Sequence, residues 1–256
     1  MILSKSALEC FPSKKLIYAD QEHIMLLKHP PHCVDKLRQQ CQQNALRPFI
    51  ARGSNTIRCP SCLMAEFACF CQHRKTSEPP FQFILLFHRD EIHKPTNSGR
   101  LIADLYPNDT QAFIWDRTQP PEPLVKQLKA VQGHCSILFP NTPTAQSQNR
   151  QPQSLPLPTT PEDNKHTFIV LDGTWKQASK MFHQSQWLKA IPHLEINSEA
   201  QRSFLVRHSS HSMQFATAEV VALLMDSLGH QQEANHLLAY NSLFNTHCLN
   251  SRKRRS

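Results

Sequence analysis

Glycine is scarce in this chain, and the scarcity excludes several nucleotide-binding folds. The 256 residues contain five glycines, far apart at Gly53, Gly99, Gly133, Gly173 and Gly229. A classical dinucleotide-binding turn and a P-loop both need closely spaced glycines, because only glycine lets the backbone approach a phosphate so nearly. The chain has neither motif, so any nucleotide that it binds must be held by a different arrangement.

The charge balance predicts an anionic partner. The chain has 28 Lys and Arg against 20 Asp and Glu, a formal net charge of +8, and such an excess points first to nucleic acid. Half of the excess lies in residues 252–255, which leaves +4 for residues 1–251. The alternative is that the positive charge only keeps the surface soluble. A face that binds nucleic acid must therefore come from local clusters of charge.

The expected compartment is the cytosol. The longest purely apolar runs, such as residues 220–225, are far shorter than a membrane span, and the N-terminal residues lack the apolar core of an export signal. In a reducing compartment, the nine cysteines predict metal binding or free thiols rather than disulfides.

Apolar runs that alternate with amphipathic segments predict an α/β fold with a largely parallel sheet. Strands are predicted at 81–87, 112–115, 135–139, 166–171 and 194–196. Helices are predicted at 34–46, 99–105, 122–131, 174–189, 217–228 and 232–246. Residues 141–165 are nearly all Asn, Gln, Pro, Thr and Ser, which predicts a disordered insert. The expected regions are an N-terminal extension (1–33), a basic helix with a cysteine module (34–80), an α/β domain (81–246) and a basic tail (247–256).

Four cysteines form a dense cluster of the pattern C-x2-C-x6-C-x-C. They are Cys59, Cys62, Cys69 and Cys71. Two tight pairs of thiolates can hold one tetrahedral ion if the chain folds back between them, and zinc is the ion that suits such a site. A four-thiolate site leaves no position for water, so its role would be structural. Four unligated core cysteines are the alternative.

Two polar segments follow predicted strands and lead into helices. Asp172, Thr174 and Trp175 come directly after the strand at 166–171, and residues 91–100 follow the strand at 81–87. Ligands bind at the carboxyl ends of parallel strands, so Asp172 is a candidate catalytic carboxylate. The alternative is that Asp172 or Thr174 caps the helix and that Trp175 belongs to the core.

Taken together, these segments resemble the DTW-domain family of tRNA-uridine aminocarboxypropyltransferases, over residues 38–245 apart from the insert. Four elements match in order. They are the cysteine cluster; Glu91, Lys94, Thr96, Asn97, Ser98 and Gly99; Asp172, Thr174 and Trp175, with Ala178 and Met181; and Thr217, Ala218 and Glu219. Each element alone is weak, but four in order are specific.

The resemblance implies a SPOUT-related sheet with helices on both faces, a C-terminal trefoil knot and a small N-terminal cysteine module. It implies transfer of the 3-amino-3-carboxypropyl group of S-adenosylmethionine to N3 of a tRNA uridine, by analogy in the variable loop, with release of methylthioadenosine. Neither a membrane nor a stable protein partner is expected. The competing functions are a tRNA methyltransferase of the same broad fold and a non-catalytic, zinc-dependent RNA-binding protein.

The resemblance also implies roles for single residues. Uridine N3 must lose its proton before it can attack, so Asp172 is hypothesised to be the general base or to orient the uridine for deprotonation. The expected S-adenosylmethionine contacts are Asn97, Ser98, Phe139, Pro140, Thr174, Trp175, Thr217 and Glu219. The expected RNA contacts are Lys94, Arg100, Arg117 and Arg207.

Overall fold

The structure is a computed structural model, and it describes residues 28–45, 56–138, 165–194 and 215–252. The strands are β1 (Gln82–Phe87), β2 (Thr110–Ile114), β3 (Cys135–Leu138), β4 (Thr167–Asp172) and β5 (His193–Leu194). The helices are α1 (Cys33–Gln43), α2 (Arg100–Leu105), α3 (Glu122–Ala130), α4 (Trp175–Gln184), α5 (Gln186–Lys189), α6 (Thr217–Ser227) and α7 (Gln231–Arg252).

The five strands form one parallel sheet in the order β2-β1-β4-β3-β5. The predicted α/β fold with a parallel sheet is therefore confirmed. Strand β4 lies at the centre, and all six of its residues are buried, which explains why the sequence of this strand is a continuous apolar run rather than an alternating one. Its last residue, Asp172, pairs in register with Phe87, the last residue of β1.

Helices cover both faces of the sheet, as expected. Successive side chains of a strand point to opposite faces, so each strand contributes to two apolar layers. One layer joins Phe83, Leu85, Phe168 and Val170 to helices α2, α6 and α7. The other joins Ile84, Leu86, Ile169 and Leu171 to helices α3, α4 and α5.

Two helices end differently from the prediction. The single helix expected at 174–189 is broken at Ser185, a fully buried residue whose Oγ accepts a hydrogen bond from Trp115 Nε1 at 2.8 Å. Helix α7 continues to Arg252, beyond the expected boundary at 246. Its last turns contact the cysteine segment, where Ser251 Oγ accepts from Ala65 N at 2.8 Å, and this contact holds residues 247–252 in the helix.

Several expectations fall on residues outside the described ranges. They include the insert up to residue 164, the extension up to residue 27 and the tail from residue 253. The trefoil knot depends on the chain path between β5 and α6, which is also outside these ranges, so the knot stays a prediction. Among the described residues, no helix is both long and apolar enough to cross a membrane.

Candidate active site and metal centre

The carboxyl group of Asp172 lies at the carboxyl edge of the sheet and is almost completely buried. Asp172 is the last residue of β4, and only 1% of its surface is exposed. The backbone is fixed on the β1 side, where Asp172 O accepts a hydrogen bond from His88 N at 2.8 Å. The carboxyl group is therefore attached to a buried strand at the centre of the sheet.

Asn97 approaches the carboxyl group from the loop before α2. Its Oδ1 accepts a hydrogen bond from Arg100 N at 3.1 Å, at the first turn of the helix. Because the amide oxygen faces this N–H group, the amide nitrogen is left to face Asp172, and Nδ2 donates to Oδ1 of the carboxyl at 2.5 Å. Asn97 thus links the start of a helix to one oxygen of Asp172.

Gly99 closes the site on the other side. A Cβ atom at this position would overlap Oδ2 of Asp172 and would lie 2.9 Å from its Cγ. The backbone of Gly99 is ordinary, with φ at −60°, so glycine is required here by the close approach and not by the conformation. Oδ2 itself has no hydrogen-bond partner among the described residues.

The surroundings raise the pKa of Asp172 to about 6, because burial disfavours the charged carboxylate. The Thr217 hydroxyl and the Asn97 amide favour the charged form and offset part of this rise, whereas the negative charge of Glu91 adds to it. A buried carboxyl with a pKa shifted toward neutral pH is a candidate functional residue.

Thr174 caps helix α4, as the alternative interpretation of this residue expected. Its Oγ1 accepts from Gln177 N at 3.4 Å, and Gln177 Oε1 accepts from Thr174 N at 2.7 Å. Such a reciprocal capping box satisfies two N–H groups that the helix cannot pair itself. Trp175 is not a core residue, because 37% of its surface is exposed.

A cleft of about 420 Å³, including its open mouth, lies beside Trp175 at the ends of β3 and β4. The cleft is mostly apolar, and its lining includes Leu138, Val170, Gly173, Trp175, Phe215 and Thr217. The cleft lining does not include three of the predicted contact residues. Glu219 Oε2 accepts from Ala216 N at 2.7 Å and so caps α6, and Phe139 and Pro140 lie outside the described residues.

The first pair of cysteines lies on a tight turn. Leu63 N donates to Cys59 O and Cys59 N donates to Met64 O, both at 2.9 Å, and the turn closes through Leu63 in the left-handed conformation with φ at +63°. A leucine in this region is strained. The turn brings the thiols of Cys59 and Cys62 to the same side.

All four sulfurs come together. The Sγ atoms of Cys59 and Cys71 are 3.6 Å apart, those of Cys62 and Cys69 are 3.7 Å apart, and all four lie within 4.8 Å of one another. A zinc–sulfur distance of about 2.3 Å gives a tetrahedron with edges of about 3.8 Å. The donor set and its spacing therefore fit a tetrahedral zinc ion, and the cluster can hold such a metal.

A family model described as DTW domain matches residues 56–249, which is most of the chain. The chain belongs to the DTW-domain family. Membership is consistent with an enzyme that modifies tRNA, and the matched range contains the whole sheet, the cysteine cluster and Asp172. No solved structure matches the chain.

The predicted RNA contacts of this DTW domain have different environments. Arg117 is exposed just beyond β2, and Lys94 is partly exposed but paired with Glu91 at 2.6 Å. Arg207 lies outside the described residues. The expectation for Arg100 is wrong in this structure, because the residue is 2% exposed and its Nη2 donates to Ser61 O at 2.7 Å. A buried guanidinium has no surface from which to reach a phosphate.

The prediction also missed a buried network around Asp104 at the other end of α2. His32 Nε2 donates to Asp104 Oδ1 at 2.9 Å, and Tyr240 OH donates to Oδ2 at 3.3 Å. Arg74 and Arg100 form ion pairs with the same carboxylate at 3.4 and 3.6 Å. Only the i, i+4 spacing of Arg100 and Asp104 is visible in the sequence, because the other partners come from distant segments.

Proposed function

We propose that this protein transfers the 3-amino-3-carboxypropyl group of S-adenosylmethionine to N3 of a uridine in tRNA, with Asp172 as general base. The observation that carries the proposal is the buried carboxyl at the sheet edge, with its raised pKa and its unpartnered oxygen. The family assignment supports tRNA as the substrate.

The proton of uridine N3 is the main obstacle to the reaction, since the neutral base is a poor nucleophile. A carboxylate with a pKa of about 6 is mostly ionised at pH 7.5 and is more basic than an ordinary aspartate. In the proposal, Asp172 accepts the N3 proton while Asn97 Nδ2 remains bonded to Oδ1. Gly99 covers Oδ2 in this structure, so the proposal requires the loop at Gly99 to shift when the uridine binds. The group that is transferred then depends on which carbon of S-adenosylmethionine lies in line with N3 of the uridine.

The apolar cleft at Trp175 is the proposed place of S-adenosylmethionine, which supplies the electrophilic carbon when bound. Trp175 offers an exposed aromatic surface to a nucleoside or to a sulfonium cation. Thr217 lines the cleft and lies next to Asp172, so it connects the donor site with the base. In the proposal, Asn97 keeps a single role, which is to hold Asp172.

For the RNA, the target uridine must be unpaired to reach a buried carboxyl. Arg117 and Lys94, together with Arg207, remain the proposed phosphate contacts. Their contribution is expected to fall as the salt concentration rises. The cysteine cluster, with zinc, is proposed to stabilise the segment that carries Ser61, against which Arg100 is fixed.

Methylthioadenosine release in the presence of bulk tRNA tests the proposal. The reaction predicts one methylthioadenosine per modified uridine and a tRNA adduct of the mass of the aminocarboxypropyl group. Release of S-adenosylhomocysteine with a methyl adduct would instead identify a methyltransferase. Tight tRNA binding with neither product would identify an RNA-binding protein without this activity, and either result would overturn the proposal.

A further inference from the structure

The segment before α1 lies against the cysteine cluster, although it precedes the residues that the family model matches. Lys28 N donates to Ser61 Oγ at 2.9 Å, and Lys28 Nζ donates to Cys69 Sγ at 3.3 Å. The neighbouring His29 Nε2 is 2.7 Å from Cys71 O. Two consecutive residues thus contact both halves of the cluster, one of them through a sulfur atom.

The charge of the loaded cluster explains why an ammonium group there matters. Four thiolates with one divalent cation have a net charge of −2, and hydrogen bonds to the sulfurs from positive groups disperse this charge. Two arginines donate to the cluster loop, but not to its sulfur atoms. Arg58 donates to Leu63 O and Arg100 donates to Ser61 O, so both bond to carbonyl groups.

We infer that Lys28 is a counter-charge of the metal site, and that its ammonium group stabilises the zinc-loaded form of the cluster through Cys69. The inference rests on the proposed metal site, and it adds to that site a residue from outside the matched domain. Its backbone bond to Ser61 holds the segment in place whatever side chain is present, so substitutions at Lys28 change only the contact with sulfur.

The test is the zinc affinity of the full chain, measured by competition with a chromophoric chelator. Lys28→Met keeps the apolar stem and removes the charge, and the zinc dissociation constant should rise about tenfold at low salt. Lys28→Arg keeps the charge and should stay within about threefold of the wild type. Lys36→Met, at an exposed lysine of α1, is the matched control and should leave the affinity unchanged.

Salt separates the electrostatic role from a merely structural one. Lys28 is exposed, so its effect should shrink in 1 M salt, where charges are screened within about 3 Å. An unchanged affinity in Lys28→Met, or an equal loss in Lys28→Arg, would overturn the inference while leaving the metal site intact. Absence of zinc from the wild-type protein by elemental analysis would instead overturn the metal site itself.

Discussion

Asp104 and Asp172 are buried to the same extent, yet their surroundings shift their pKa values in opposite directions. Both carboxyl groups lie beside α2, Asp172 before its first turn and Asp104 near its end, and each residue is 1% exposed. Burial by itself would raise the pKa of both. It does raise that of Asp172, to about 6, whereas Arg100, His32 and Arg74 hold the pKa of Asp104 well below its usual range.

The partners account for this difference. Asp104 is surrounded by donors and cations from four separate segments, so its negative charge is compensated. The groups that favour the charged form of Asp172 are all neutral: the Thr217 hydroxyl, the Asn97 amide and the Gly99 N–H group. The dipole of α2 would predict the opposite result. An anion is favoured at a helix N-terminus, so the dipole by itself would lower the pKa of Asp172 rather than that of Asp104. Specific partners therefore outweigh the helix dipole, and they account for the opposite pKa shifts of the two carboxyl groups.

The largest expected effect is on turnover in Asp172→Asn. General bases contribute about 10²–10⁴-fold to rate, so methylthioadenosine release should fall by that factor. Binding of S-adenosylmethionine, measured by calorimetry, should stay near the wild-type value because an amide has the same shape. Turnover within about threefold of the wild type would contradict the role of Asp172 as base.

Asp104→Asn should affect stability instead. Removal of the charge leaves Arg100 and Arg74 buried without their anion, and breaking a buried ion pair in this way costs about 3–5 kcal/mol. Urea denaturation at pH 7 measures the loss. If Asp104→Asn unfolded like the wild type but lost turnover, the division between the two carboxylates would be wrong.

The pH dependence of stability should differ between the two sites. The folded pKa of Asp172 lies above its unfolded value of 3.8, so its stabilising effect is complete below pH 4 and is lost as the pH rises through 6. Asp172→Asn should therefore exceed the wild type in stability by about 3 kcal/mol above pH 6, at about 1.4 kcal/mol per pKa unit, with little difference near pH 4.

We expect the opposite dependence of stability on pH for Asp104. Its folded pKa is depressed, so its contribution is present above the ordinary aspartate pKa and is lost as the pH falls below it. Unfolding curves of the wild type and both Asn variants between pH 3 and 8 measure the two trends together. Parallel curves for the three proteins would contradict both assignments.

The smallest expected effect is a shift of the acid limb of activity in Asn97→Ala. The amide favours the charged form of Asp172, so its removal should raise the pKa of the base by about one unit, the value of one hydrogen bond to a charged group. The acid limb of kcat/KM should move from about pH 6 toward pH 7. Gln232→Ala, at an exposed position of α7, is the control and should leave the limb in place.

The sequence predicts the elements of this fold better than it predicts their contacts. All five strands lie within two residues of the expected bounds, because apolar runs report burial directly. The four cysteines of the cluster and the position of Asp172 at a strand end were likewise visible as local patterns. Each of these features depends on residues that are close in the chain.

Contacts between distant segments could not be predicted in the same way. Arg100 has the type and position of an RNA contact, and only the folded chain shows that its side chain points to Ser61. The pKa of Asp172 depends on Asn97, Thr217 and Glu91, which lie in two other segments. Lys28 falls outside the matched domain altogether, and nothing in its sequence neighbourhood indicates a sulfur partner.

The pairing of β1 with β4 also determines when the site can form during folding. Gln82 pairs with Thr167, so a chain that is still being synthesised has Asn97 and Gly99 long before it has the carboxyl group that they enclose. Pairing across so long a separation is slow, since the entropy of loop closure must be lost before any contact is gained. Asp172 remains an ordinary, hydrated aspartate until the central strand is inserted, and its basicity arises only in a chain whose sheet is complete.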